Sequence, residues 1–147
     1  MNTPTLGQLL HGYFEDYLTC QKGLRPGSVR SYRDGMVLFL RFVGEETGKK
    51  ISRLGLEDLT CKQVVSFLDA LEKRRQNHIR TRNQRLAVLR EFFEYVVHRV
   101  PECVQEAHRI ATIPAKRVPP PEMRYLDREE LQTVFASLPA TGRLALR

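Results

Sequence analysis

A chain of 147 residues with 41% hydrophobic content can close one compact domain with a short remainder, and its apolar runs are far too short to cross a bilayer. The opening stretch, MNTPTLGQLLHGYFEDY, lacks the basic start and apolar run of a secretory signal, so a cytoplasmic setting is expected. The net charge of +7 suits a polyanionic partner, of which nucleic acid is the commonest large one.

The first amphipathic helix is predicted over residues 6–20, burying Leu6, Leu9, Leu10, Tyr13, Phe14 and Tyr17. "GLRPGS" (residues 23–28) breaks it with two glycines and a proline. A second helix over 28–43 places Val29, Tyr32, Met36, Phe39, Leu40 and Val43 on one face. A Gly-flanked connector over 44–59 leads to a third helix over 60–75, with Val64, Phe67, Leu68 and Leu71 inward. The fourth, over 81–99, buries Leu86, Leu89, Phe93, Val96 and Val97, and a shorter one is expected over 102–111. Three of the starts carry a capping-box pattern: Thr5 with Gln8, Thr60 with Gln63, and Thr81 with Gln84. No segment alternates with a two-residue period, so the fold class is all-α, a bundle with short connections.

Composition then shifts. "IPAKRVPPPEMR" (113–124) holds four prolines and no helical period, which marks an extended linker. "YLDREELQTVFASLP" starts another helix, with Asp127 and Glu130 as an Asp-type capping box and Leu126 and Leu131 placed for a hydrophobic staple. The expected division is residues 1–112 as one helical domain, 113–124 as linker, and 125–147 as the truncated start of a second domain.

Charge distribution points to a surface. Residues 17–33 contain Lys22, Arg25, Arg30 and Arg33 but no acid, and residues 73–90 contain seven Lys/Arg and no acid. Lys73, Arg74 and Arg75 sit at the C-terminal end of the third helix, where the helix dipole favours cations. Arg80, Arg82 and Arg85 fall at a helix start, where dipole and mutual repulsion oppose them by about 0.3–1 kcal/mol each. A local rule broken without local compensation marks a place where function is expected, and a helix N-terminus rich in arginine is a good receptor for phosphate. Asn83 and Gln84 on the same turn have side chains that pair well with adenine edges. Arg30 and Arg33 repeat the pattern in the second helix, after Arg25 and beside Ser28 and Ser31, although Arg33 lies near the apolar stripe and is placed to snorkel. The plain alternative at both places is a solvated charged face.

Other chemistry is thin. His98, Cys103 and His108 lack the paired spacing of zinc ligands, so no metal is assigned. The three cysteines, Cys20, Cys61 and Cys103, have no CxxC spacing and read as reduced, buried thiols. No Ser/His/Asp set, Gly-rich phosphate loop or carboxylate pair stands out, and no cofactor is expected.

"GLRPGSVRSYRDGMVLFLRFV" (23–43) followed by "HIRTRNQRLAVLREFFEYVV" (78–97) resembles the N-terminal core-binding domain of the tyrosine recombinases, the phage integrase family that includes Xer- and Cre-like enzymes. "RYLDREELQTVFASLP" (124–139) after a Pro/basic linker looks like the opening of that family's catalytic domain. The resemblance implies a four- to five-helix orthogonal, SAM-like bundle that clamps double-stranded DNA at a recombination half-site through its second and fourth helices. On this sequence those helices carry Arg25, Ser28, Arg30, Ser31 and Arg33, and Arg80, Thr81, Arg82, Asn83, Gln84 and Arg85. Lys116 and Arg117 would follow the duplex as the linker crosses it.

The family cuts and rejoins DNA through a 3′-phosphotyrosyl intermediate, with no metal or energy cofactor, and assembles as a tetrameric synapse. Thr141-Gly142-Arg143 departs from the family's Gly-x-Arg-x-x-Glu segment, lacking the Glu and following Leu126 too closely, so no catalytic residue is assigned and the chain alone is expected to be inactive. Two rival readings are a stand-alone DNA-binding regulator and a helical interaction module with an acidic partner.

Overall fold

The computed structural model describes residues 3–74, 79–118 and 128–137. The expected cap and staple at Leu126 and Asp127, Arg75, and Thr141-Gly142-Arg143 lie outside the described residues. Among the described residues every regular element is helical, in keeping with the all-α expectation: α1 (Leu6–His11), α2 (Pro26–Thr47), α3 (Cys61–Arg74), α4 (Ile79–Arg99), α5 (Val104–Ala111) and α6 (Arg128–Ser137). No described helix is long and apolar enough to cross a membrane.

Thr5 starts α1 with a complete capping box. Its hydroxyl accepts from the Gln8 amide (3.2 Å), and its own N–H donates to Gln8 Oε1 (2.9 Å). At Thr60 the hydroxyl accepts from Gln63 N–H, and the next free amide of the start, Cys61 N–H, donates to Glu106 Oε2 on α5 (2.8 Å). The third box corrects the expectation, because α4 is already helical at Ile79 and Thr81 sits inside its first turn. Gln84 is thereby free for another partner.

α1 continues into a π-helical segment, Gly12–Gln21, in which hydrogen bonds reach five residues back, as from Lys22 N–H to the Tyr17 carbonyl (2.7 Å). This widened turn changes which residues point inward. Tyr13, Phe14 and Leu18 are buried within it, whereas Tyr17, expected in the core from a 3.6-residue period, is half-buried, as is Leu10 in the preceding α1. α2 is longer than predicted at both ends and stops at Gly48, whose φ of 70° closes the helix in the left-handed conformation. The predicted connector then holds two short 3-10 turns, Ile51–Arg53 and Leu56–Asp58.

α4 is the central helix, packed against α2, α3 and α5. It accordingly buries residues on most of its circumference, including Leu86, Val88, Leu89, Phe92, Phe93, Tyr95 and Val96, with Val97 only half-buried. Tyr13 of the π segment stands edge-on to Phe92 (5.3 Å between ring centroids) and close to Tyr95 (5.2 Å). The Tyr95 hydroxyl occupies the space that a Cβ at Gly12 would need.

The Tyr13 hydroxyl is fully buried and has no hydrogen-bond partner among the described residues. Desolvation first, and the nearby Glu91 carboxylate second, push its phenol far above the ordinary tyrosine range. Because the folded-state value is raised, the neutral phenol's contribution is present below the unfolded pKa, about 10, and is lost as pH rises beyond it. Tyr13→Phe should therefore raise the unfolding free energy at neutral pH by up to about 1 kcal/mol. It should also flatten the alkaline loss of stability, measured by urea unfolding from neutral to strongly alkaline pH. A destabilised variant would mean that the hydroxyl has a partner after all.

Candidate nucleic-acid interface

The start of α2 is built from "GLRPGS". Gly23 takes a φ of 64° that side chains rarely adopt, turning the chain out of the π segment. Pro26 then occupies the first helical position, with Arg25 extended at the N-cap and no side chain capping the end. Arg25, Ser28 and Arg30 are exposed. Neither α2 nor α4 has an acid in its first turn, whereas α6 has Glu129 and Glu130 there. α1 and α3 also lack a first-turn acid, and α3 has the exposed Lys62 there, so α2 and α4 are set apart by the number of cations at their starts rather than by the missing acid.

The two starts meet. Gln84 Nε2 donates to Ser31 Oγ (3.1 Å), and Arg85 Nη1 donates to the Ser31 carbonyl (3.1 Å). Arg85 lies across Gly35, where an added Cβ would stand 3.0 Å from its Nη1 and 3.2 Å from its Cδ. Ser28, Ser31 and Gly35 share one stripe of α2, and Arg80 and Gln84 share one of α4, because residues three and four apart stack on a helix face. The Ser31–Gln84 bond therefore marks a seam flanked by both basic starts. Arg33 faces another way, with Nη2 3.7 Å from Glu15 and its guanidinium 5.7 Å from the Phe14 ring centroid. Both partners are 54% exposed, so that pair contributes little.

The expectation that Arg80, Arg82 and Arg85 all lack a partner is corrected. Arg82 is 7% exposed and turned inward, with Nε 3.5 Å from Glu72, at ion-pair but not hydrogen-bond geometry. Its Nη1 donates to Asn83 Oδ1 and to the Pro114 carbonyl, both at 3.0 Å. Asn83 in turn holds Lys116, accepting from its N–H (2.9 Å) and donating to its carbonyl (2.7 Å). Lys116 Nζ lies 2.8 Å from Glu72. Thr81 is half-buried in the same turn. Only Arg80 of the three is exposed without a partner, and Arg25, Arg30 and Arg117 share that state among the described residues.

Sequence reasoning missed the acids that organise this region. Glu72 gathers Arg82 and Lys116, and Glu91 on α4 pairs with Lys22. The Glu91 carboxylate raises the Lys22 pKa, chiefly by hydrogen bonding. No spacing rule would have found either acid, because their partners lie 10 to 69 residues away.

Elsewhere the chemistry is sparse. The Cys61 and Cys103 thiols are pushed up by burial and then by neighbouring carboxylates, which disfavours the reactive thiolate. Among the described residues, no three His, Cys, Asp or Glu side chains are grouped to hold a metal. A groove of about 280 Å³ between α2 and α3 is lined by Leu38, Phe42, Phe67 and Leu71, with Arg41 and Glu45 as its only charged residues.

Residues 12–100 match the family described as phage integrase, N-terminal SAM-like domain. Among curated proteins, "Putative integrase/recombinase y4rD" of Sinorhizobium fredii is 37% identical over 139 residues, covering 94% of this chain and 50% of the relative. "Putative integrase/recombinase y4rC" of the same organism is 33% identical over 133 residues, covering 90% of this chain and 40% of the relative. The chain thus spans about half the length, or less, of these two relatives. No solved structure matches. With an all-α bundle over the matched residues and both relatives aligned along nearly its whole length, the chain belongs to the tyrosine recombinase, or phage integrase, family.

Proposed function

We propose that this chain is the DNA-binding portion of a site-specific tyrosine recombinase and that it clamps duplex DNA at a recombination half-site. The observation that supports this reading is the placement of Arg25 and Arg30 at the start of α2, Arg80 at the start of α4 and Arg117 next to the Lys116 held by Asn83, all exposed and without carboxylate partners among the described residues. Phosphates are the missing counter-charge, helped by the uncapped N–H groups of the α2 start. Ser28, Ser31 and Gln84 are near enough to add neutral hydrogen bonds to the backbone, and Arg85 braces the two helices.

In this proposal residues 1–112 form the core-binding domain, 113–124 the linker, and 125–147 the start of the catalytic domain. The whole recombinase would cut one strand by attack of a tyrosine hydroxyl on phosphorus. That step forms the 3′-phosphotyrosyl bond and releases the 5′-hydroxyl, and reversal on a new strand restores the phosphodiester. The scheme needs no metal or energy cofactor, and no residue of this chain is given a catalytic role. Full-length protomers would self-associate on DNA.

Fluorescence anisotropy with a labelled duplex, repeated across salt concentrations, tests the proposal. Affinity should fall steeply with salt, and the variant Arg25→Ala/Arg30→Ala/Arg80→Ala should flatten the log–log slope by roughly 2–3, about 0.9 for each phosphate no longer neutralised. An unchanged slope, or equal binding to polyglutamate, would overturn it.

A further inference from the structure

Asn83 has the residue type and the position of a base-reading side chain, yet its carbonyl oxygen is already fully committed. Its Oδ1 accepts from both Lys116 N–H and Arg82 Nη1, which fills both lone pairs of the carbonyl. Its Nδ2 donates to the Lys116 carbonyl at 2.7 Å. One carboxamide thus satisfies both main-chain groups of one residue, as a neighbouring β-strand would. A bidentate pair with adenine needs an open acceptor site on Oδ1 as well as an Nδ2 hydrogen, so the filled oxygen excludes it while the clamp holds. Two further contacts brace the same segment: Arg82 Nη1 on the Pro114 carbonyl, and Glu72 on the Lys116 ammonium.

We propose that Asn83 is a positioning residue: it pins residues 114–116 to the first turn of α4 and so presents Arg117 beside Arg80, making DNA contact and the path of the departing chain a single event. This rests on the DNA-binding reading above. Arg80 lies three residues before Asn83 on the same helix face, and Arg117 follows directly on the pinned residue, so the two exposed cations flank the clamp. Loss of the clamp frees Arg117 to wander, and its phosphate contact then carries the entropy of an untethered chain.

Two measurements on the 147-residue chain test this. Amide hydrogen exchange followed by NMR should show the Lys116 N–H protected, and Asn83→Ala should accelerate its exchange at least about ten-fold while α4 amides hold their rates. Equal Lys116 exchange in the two proteins would overturn the clamp. Circular dichroism confirms that the variant is folded, and Asn83→Asp, which keeps the acceptor but loses the donor, should fall between the two.

In the second measurement, Asn83→Ala, Arg117→Ala and the double variant are titrated with duplex DNA across salt. Each single change should flatten the salt slope by about 0.9, and the double no further than Arg117→Ala alone. Additive losses, or a changed preference at one adenine position among selected random duplexes, would make Asn83 a base reader and overturn the proposal. If the wild-type chain binds no duplex, the DNA-binding reading falls and the coupling falls with it, while the exchange experiment still decides the clamp.

Discussion

Phe92→Ala is expected to lower the unfolding free energy by about 3–5 kcal/mol. The ring is fully buried on the central helix, edge-on to Tyr13 of the π segment (5.3 Å) and to Phe93 (5.7 Å). Its loss opens a cavity between two helices whose backbones are held apart by other aromatic rings, Tyr95 and Tyr17 among them (5.3 Å), so the walls have little freedom to collapse. Domains of this size have about 5–15 kcal/mol in total, which makes the variant marginal. Urea unfolding followed by circular dichroism would show a lower midpoint at unchanged slope. A loss below about 1 kcal/mol would mean that the bundle repacks around the gap.

Arg82→Ala should be the most damaging change at the basic helix start, costing about 1.5–3 kcal/mol. It removes a buried cation from Glu72 and the Nη1 donor shared by Asn83 Oδ1 and the Pro114 carbonyl, although Asn83 keeps the Lys116 N–H. Glu72 is 24% exposed and keeps Lys116, which places the cost below that of breaking a fully buried pair. Arg80→Ala, two residues earlier, should change stability by no more than about 0.5 kcal/mol, because an exposed cation at a helix N-terminus contributes nothing to the fold. Thermal melts of the two variants side by side decide the matter. Equal melting temperatures would return Arg82 to the exposed, DNA-facing class.

These two arginines show how far local patterns reach. The dipole rule marks Arg80, Arg82 and Arg85 alike, because each breaks the same local preference. The fold then separates them through partners at distant positions: Glu72 and Pro114 for Arg82, Ser31 for Arg85. Helix faces were legible where the period is regular, as in α3, whose expected inward residues Val64, Phe67, Leu68 and Leu71 are all buried. The regular period misled at Tyr17, because a π turn advances the chain by more residues per turn than the template assumes. The capping pattern succeeded in full at Thr5 and failed at Thr81, where α4 begins earlier and Gln84 bonds across to Ser31.

Gly35 sits in the interior of α2, a position where alanine would favour the helix by about 0.5–1 kcal/mol. The bare backbone there lets the Arg85 stem lie flat, and an added methyl would meet it at 3.0–3.2 Å. The absent side chain therefore acts as a spacer of fixed thickness between two prongs, like the stop on a pair of calipers. Gly35→Ala would trade helix propensity against that setting. The Arg85 stem would have to give by a few tenths of an ångström, and on the proposed DNA contact that shift would alter how the two basic helix starts are set against one another, although residue 35 itself lies away from both.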